Sequence, residues 1–143
     1  MISLFTLALV LHVLVAVLGL GSILSIAVIA VMGRRGRRDP IDVLPWLRPL
    51  LRLSTVSLVA MLGTGVILDL AAKGGFHEFW WFRASALLLV AAGALNGRAR
   101  RIVQLGFAQK AESGVALQRV ERLAYAMCGF VAGITILMEV QPF

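Results

Sequence analysis

The sequence predicts an all-α protein, an integral membrane four-helix bundle with both termini on the outer side of the membrane. Its mean hydropathy is +0.94, and 60% of its residues are hydrophobic while 15% are charged, which lies outside the usual composition of soluble domains. Crossing a hydrocarbon core takes about 20 helical residues, and four apolar runs approach or exceed that length. The predicted spans are residues 4–32, 53–72, 79–97 and 123–140. Little chain is left over, so residues 1–143 are predicted to form a single domain.

The first run is predicted to be a retained helix rather than a secretion signal. No Lys or Arg precedes it, and it is about twice as long as the apolar core of a signal peptide. At about 1.5 Å per residue it exceeds the hydrocarbon thickness, so we expect it to tilt, to bend near Gly19 and Gly21, or to protrude. Its segment LALVLHVLVAVLGLG contains one polar side chain, His12.

The basic residues predict the orientation of the chain. Of the 14 Lys and Arg residues, six lie between spans one and two and six between spans three and four. The positive-inside rule therefore places these two connections in the cytoplasm and both termini outside. The net charge of +7 could also indicate nucleic-acid binding, but the basic residues flank the spans and lack interleaved aromatic residues. Contact with the anionic headgroups of a lipid bilayer is predicted instead, and no nucleic acid is expected.

The two basic connections differ in their predicted structure. In GRRGRRDPIDVLPWLRPLLR, three prolines argue against a long regular helix, and Trp46 among leucines suits a segment that lies at the headgroup level. The second connection contains good helix formers up to Glu112 and a stop signal at Gly114. It predicts that helices three and four extend into the cytoplasm as a hairpin.

The remaining ionisable residues collect in the predicted outer half of the bundle. An ionisable side chain within a span is costly unless it faces protein or water, so each is a candidate functional residue. Asp69 and Glu139 also lie close enough to the boundary to reach headgroups or water. His77 and Glu78 also fit ordinary residues of the loop before span three, whose two tryptophans fit an aromatic belt. The predicted outer-side group consists of His12, Asp69, His77, Glu78, Arg83 and Glu139.

Small residues on helices three and four predict helix packing. Gly93 and Gly97 form one small-xxx-small pair, and Gly129 and Gly133 form another. Asn96 is placed to bond to a neighbouring helix. On helix four, small and polar residues recur at three- and four-residue steps, which predicts a face directed to the bundle interior. That face contains Tyr125, Cys128, Ala132, Thr135 and Glu139.

His12 has three interpretations, namely a structural hydrogen bond, a ligand of haem or copper, and a proton-transfer group. The small residues on its helix face leave room for another helix or a flat ligand. No HxxxH, CxxC or CxxCH motif occurs, and thioethers within spans are mostly packing residues. Glycine-rich phosphate loops and Ser/His/Asp arrangements are also absent from the sequence, which argues against nucleotide-dependent or hydrolytic chemistry. The candidate second metal ligands are Met61, Met127, Cys128, Met138 and His77.

Several stretches carry a resemblance to known families: the early helix with His12, the basic first loop, MLGTGVIL in helix two, FWWFR followed by LLLVAAGALNGR in helix three, and the ending ILMEVQP. The chain resembles the predicted four-helix integral membrane proteins of bacteria whose function is unknown. It is more remotely similar to HemJ-type protoporphyrinogen oxidases and to CopD-type copper-resistance membrane domains. The resemblance implies a multi-pass protein of the bacterial cytoplasmic (inner) membrane.

The HemJ-like comparison implies that His12 binds a b-type haem. The lysine of that family at the entry to helix three falls at Arg83 here. An arginine stays protonated and cannot readily act as a base or metal ligand, but it can pair with a haem propionate or with Asp69 or Glu139.

The first functional hypothesis is therefore a membrane protein that holds haem b, or copper as an alternative redox metal, in the outer half of its bundle. His12 would be the metal ligand, and Arg83 would neutralise carboxylate charge. The role would be electron transfer or the oxidation of a small hydrophobic substrate. A second hypothesis is a cofactor-free accessory subunit that packs in a larger membrane complex or a homo-oligomer. A third is a small metal transporter.

Overall fold

The computed structural model describes residues 3–36, 39–76, 78–108 and 113–140, and these residues form four α-helices. The helices are α1 (Leu4–Arg35), α2 (Pro40–Ala71), α3 (Trp80–Ala108) and α4 (Ser113–Glu139). Each of α1 and α3 packs against both α2 and α4, so the helices form a closed antiparallel bundle. We call the end where α1 is followed by α2, and α3 by α4, the basic end. The predicted all-α four-helix bundle is confirmed.

Three of the four helices, α1, α2 and α4, are long and apolar enough to cross a membrane. In α3, Arg83 and Arg98 bound an uncharged run of 14 residues. That run is about 21 Å long at 1.5 Å per residue, which is less than a hydrocarbon core of about 30 Å. The crossing by α3 and the orientation of the termini therefore stay predictions.

Helix α2 begins 13 residues before the predicted second span and contains Pro45 and Pro49. The prediction that this segment does not form a long regular helix is wrong, and its position at the headgroup level stays a prediction. Both prolines lie on the exposed face of the helix, where the carbonyl groups that they leave unbonded can reach polar surroundings. Leu44 and Leu47 point the other way and are completely buried. Their burial offsets the cost of the prolines, while Trp46 is 66% exposed.

The main hydrophobic core lies in the half of the bundle nearest the basic end. Its completely buried side chains come from all four helices and include Ile23, Leu44, Leu47, Val103 and Leu117. A smaller cluster in the opposite half contains Leu58, Leu89, Ala92 and Ile134. The side chains of residues 4–18 in α1 are mostly exposed. The larger cluster of buried side chains therefore lies at the basic end, and the smaller one lies in the opposite half.

The closest helix contacts use glycines other than the predicted ones. A Cβ at Gly106 would lie 2.9 Å from Ala116 Cβ, and one at Gly33 would lie 2.8 Å from a methyl group of Val43. By contrast, a Cβ at Gly93, Gly97 or Gly129 would meet no heavy atom within 4 Å, and one at Gly133 would make an ordinary contact of 3.6 Å with Leu88. Within the chain these four glycines are not sites of close packing. Their packing against another chain stays a prediction.

The rotation of α4 also differs from the prediction. Its buried face is apolar and contains Leu117, Val120, Ala124, Met127 and Ile134. Most of the predicted polar stripe faces outward, with Tyr125 54% exposed and Thr135 and Glu139 also exposed. The hydroxyl of Thr135 needs no interhelical partner because it donates to the carbonyl oxygen of Val131 at 3.0 Å. Asn96 does bond across helices as predicted, since its Nδ2 donates to Leu51 O and Thr55 Oγ1 at 3.1 and 2.8 Å.

An ion pair that the sequence analysis did not anticipate joins α1 to α4 near the basic end. Arg34 Nη2 donates to Glu121 Oε1 at 3.2 Å, and Arg34 Nε lies 2.5 Å from Glu121 Oε2. The side chain of Glu121 is 9% exposed and that of Arg34 is 43% exposed. The carboxylate therefore depends on this partner more than the guanidinium does.

We expect Arg34→Gln to lower the free energy of unfolding by about 1–3 kcal/mol, because the buried carboxylate of Glu121 loses its partner. The partial exposure of Arg34 places the effect below that of a fully buried pair. Detergent-solubilised protein titrated with sodium dodecyl sulfate would measure the change. Arg35→Gln, which removes the same charge from an exposed neighbour, is expected to change the stability by less than about 0.5 kcal/mol. Equal effects of the two variants would contradict the prediction.

Candidate functional site

All four helices contribute to a cavity in the half of the bundle away from the basic end. Its volume is about 90 Å³. His12 comes from α1, Met61 and Gly65 from α2, Ser85 from α3 and Met138 from α4. The remaining walls are aliphatic or aromatic, and they are formed by Leu62, Val66, Phe82, Ala86, Leu89 and Ile134.

His12 is held by a hydrogen bond to α2. Its Nδ1 lies 2.7 Å from Thr64 Oγ1. The one hydroxyl hydrogen of Thr64 is directed to the carbonyl oxygen of Ala60 at 2.9 Å, so we assign Nδ1 as the donor and Thr64 Oγ1 as the acceptor. The neutral imidazole then has its lone pair on Nε2. The predicted structural hydrogen bond therefore exists, and it uses Nδ1 of the ring.

Two of the predicted second ligands line the same cavity as His12, namely Met61 and Met138. Met127 is completely buried in the main core, and Cys128 packs partly buried against that core. Neither lines the cavity. His77 lies outside the described residues. Of the four candidates that the structure describes, the two thioethers Met61 and Met138 thus line the cavity with His12.

Thr64 and Ser85 are the polar site residues that the sequence analysis missed. Ser85 Oγ is buried and has no hydrogen-bond partner among the described residues. Serine and threonine in apolar helices usually bond to their own backbone, so their presence in a span is a weak signal. An unpartnered hydroxyl in the wall of a cavity is a stronger signal, but only the tertiary structure reveals it.

The other predicted outer-side residues do not line the cavity. Asp69 stabilises the turn after α2, since its Oδ1 accepts from the backbone N–H of Phe76 at 2.9 Å. Glu78, Arg83 and Glu139 are exposed. Among the described residues of the predicted outer-side group, His12 alone lines the cavity, and the outer-side cluster stays a prediction.

An aromatic cluster covers the start of α3 beside the cavity. The ring of Trp81 lies 6.2 Å from that of Phe76 and 6.1 Å from that of Phe82 between centroids, and Phe82 lines the cavity. Trp81 is buried while Trp80 is exposed. Trp81 therefore packs inside this cluster, whereas Trp80 is the tryptophan that is placed for the predicted aromatic belt.

Comparison with protein-family models, with curated proteins and with solved structures finds no match. The chemistry that the cavity can support is therefore inferred from the residues that line it.

The described residues contain no group of three or more His, Cys, Asp or Glu side chains that could hold a metal ion. A metal at His12 would have to use thioether sulfur and hydroxyl oxygen as further ligands. Thioether and imidazole ligands suit copper, above all Cu(I), whereas Mg²⁺ and Ca²⁺ prefer carboxylate and carbonyl oxygens. As residue types, one imidazole and two thioethers suit cuprous copper better than these hard cations.

The size of the cavity does not fit a porphyrin. A second cavity of about 130 Å³ shares the walls Met61, Leu89 and Ile134 with the first. Pockets that hold ligands of cofactor size have volumes of about 300–1,000 Å³, which is more than either cavity offers. Binding of haem b stays a prediction, and it would require the helices around His12 to move apart.

Proposed function

We propose that the protein is a multi-pass protein of the bacterial cytoplasmic membrane that binds one cuprous ion and transfers electrons through it. The observation that carries the proposal is that His12, Met61 and Met138, from three different helices, line one cavity. The proposed topology has four crossings and both termini outside. It is supported by the two basic connections at one end of the bundle and by the three helices that are apolar enough to cross a membrane.

The proposed ligands are all uncharged, which favours copper in its lower oxidation state. An imidazole and two thioethers leave a cuprous ion with a net charge of +1, whereas a cupric ion would place twice that charge among apolar walls. Charge in a low-dielectric site is costly. Apolar surroundings therefore favour the less charged form of a metal and raise its reduction potential. These residues would therefore give bound copper a high reduction potential, and the metal would supply one-electron chemistry when bound.

In this proposal, the hydrogen bond from His12 Nδ1 to Thr64 orients the ring of the metal ligand. Ligating histidines usually donate their second ring N–H to a hydrogen-bond acceptor, which fixes the tautomer and the ring orientation. Thr64 Oγ1 provides that acceptor at 2.7 Å. Arg83, Asp69, Glu78 and Glu139 have no part in the proposed site, since none of them lines the cavity.

Anaerobic titration with Cu(I) against a competing chelator tests the proposal. We expect one equivalent of copper to bind to the purified protein in mild detergent. His12→Ala and Met61→Leu are each expected to weaken binding by at least about tenfold, because loss of an outer-shell partner alone costs about 10- to 100-fold. Met127→Leu is the matched control, since Met127 is equally apolar and lies in the main core. It should bind copper like the wild type.

The same samples distinguish the rival ligands. Copper binding that is unchanged in His12→Ala, or absent from the wild type, would overturn the copper site. A Soret band after reconstitution with haem, lost in His12→Ala, would assign His12 to haem b instead.

A second candidate function is a cofactor-free accessory subunit of a larger membrane complex or homo-oligomer. It is favoured by the open space beside Gly93, Gly97 and Gly129, because small residues without partners inside the chain allow another helix to approach closely in a membrane. A protein that bound neither copper nor haem would leave this candidate as the better explanation. Transport of metal, the third hypothesis, has no observation that favours it over these two.

A further inference from the structure

A cleft between α2 and α3 at the basic end brings three arginines together. Arg48 and Arg52 lie one helical turn apart on α2, and Arg100 lies on α3 with Gln104 one turn further along. The cleft has a volume of about 180 Å³. These four long polar side chains form its rim, so the cleft is lined by one sign of charge.

The floor of the cleft belongs to the main core. Leu51 and Val103 line it, and both are almost completely buried. The buried side chains set the separation of the two helices here, so they fix the backbone positions from which the arginines project. The arginines therefore extend over a common cleft from two packed helices.

No carboxylate of the described residues forms an ion pair with Arg48, Arg52 or Arg100. Like charges four residues apart on one helix repel each other, and Arg100 adds a third positive charge from a partly buried position. The guanidinium of Arg48 is also fixed in place, since its central carbon lies 3.9 Å from the centroid of the Phe107 ring. Three cations at one cleft, with no carboxylate partner among the described residues, provide a favourable site for an external anion.

We propose that this cleft binds the phosphate group of an anionic phospholipid. Guanidinium groups bind phosphate oxygens through paired hydrogen bonds, and basic pockets between membrane helices on the cytoplasmic side hold anionic headgroups. Arg52 directly precedes the second predicted span and Arg100 follows the third, so the cleft lies at headgroup depth in the proposed topology. Exposed apolar side chains continue from the cleft along α2, at Leu53 and Val56, and offer a surface for acyl chains.

This proposal rests on the proposed membrane topology, but it goes beyond the metal site and is independent of it. The cleft lies at the basic end, and the cavity around His12 lies in the opposite half. Loss of copper binding would leave the lipid site intact, and loss of the lipid would leave the copper site intact.

Native mass spectrometry of delipidated protein in mild detergent tests the lipid site. Dioleoylphosphatidylglycerol is the anionic probe, and dioleoylphosphatidylcholine is the probe without net charge. We expect the wild type to bind the anionic lipid about tenfold more tightly. Arg52→Gln and Arg100→Gln are each expected to weaken its binding about three- to tenfold, because each removes a charge-assisted hydrogen bond to phosphate. Arg52 is exposed, so that variant keeps the test available if Arg100→Gln destabilises the fold.

Arg101→Gln is the matched control, since it removes the same charge from the residue next to Arg100 without altering the cleft. It should bind the anionic lipid like the wild type. An equal loss in this variant would show a diffuse effect of net charge and would overturn the site. Equal binding of the two lipids by the wild type would overturn it as well.

A competition experiment distinguishes the phosphate group of a lipid from free inorganic phosphate as the ligand. If millimolar inorganic phosphate does not displace phosphatidylglycerol, the lipid is supported as the ligand. If it displaces the lipid from the wild type, and the displacement is lost in Arg52→Gln, the site takes free phosphate and the proposed lipid ligand is overturned.

Discussion

Leu47→Ala is expected to lower the free energy of unfolding by about 2–5 kcal/mol, the range for truncating a well-packed core leucine. Leu47 is completely buried at the basic end, in the part of α2 that contains two prolines. Removing its side chain leaves a hole between helices that meet there, and the rigid neighbours can close it only in part. The proline-containing turn has few other interactions to compensate, since its own backbone lacks hydrogen bonds at Pro45 and Pro49.

Titration of detergent-solubilised protein with sodium dodecyl sulfate, followed by helical circular dichroism, would measure this loss. Trp46→Ala provides the control in the same helical turn, because Trp46 is 66% exposed. We expect its effect to be less than half that of Leu47→Ala. If Trp46→Ala were the more damaging change, the segment would be held by a tryptophan at the headgroup level, and the helical core at the basic end would be the wrong description.

Gly106→Ala is expected to destabilise the protein by about 1–3 kcal/mol through overpacking. An alanine there would place its Cβ 2.9 Å from Ala116 Cβ and 3.2 Å from Leu44 Cδ1. The leucine can rotate, but the Cβ of Ala116 is attached to the backbone of α4, so α3 and α4 would have to separate. The strain outweighs the gain of about 0.5–1 kcal/mol that alanine brings to a helix in place of glycine.

Gly93→Ala on the same helix is the matched control, and it should leave the stability unchanged or raise it by up to about 1 kcal/mol. Its Cβ would meet no heavy atom within 4 Å. The same detergent titration compares the two variants. Adding Ala116→Gly to Gly106→Ala should restore part of the lost stability, because it removes the opposing Cβ. A destabilising Gly93→Ala together with a neutral Gly106→Ala would reverse the assignment of the packing glycines.

The two ends of the bundle have different physical characters, and each supports one proposal. The basic end combines a dense core with arginines that have no carboxylate partner in their cleft. The opposite half has a smaller buried cluster and contains the cavity that His12 lines. The core at one end fixes the helix positions from which the arginines project. The cavity at the other end lies between residues of all four helices.

The sequence by itself determined the all-α class, the number of helices and much of their placement along the chain. Hydropathy and charge vary along the chain, so they identify apolar runs such as residues 4–32 without knowledge of neighbours. Good helix formers correctly predicted that helices three and four continue beyond the apolar runs. The interhelical bond of Asn96 was also predictable, because a buried amide in an apolar helix needs a partner.

Only the tertiary structure decided which face of each helix points inward. Nearly every face of these helices is apolar, so periodicity does not distinguish the face that meets another helix from the face that meets lipid. The sequence therefore placed Thr135 inside and missed that Gly106, rather than Gly93, is the site of close approach. For the same reason the sequence identified His12 as a candidate but did not show which residues lie beside it. In the structure Met61 and Met138 line its cavity, and Arg83 does not. That arrangement depends on how residues from four helices, far apart in the chain, are brought together by packing.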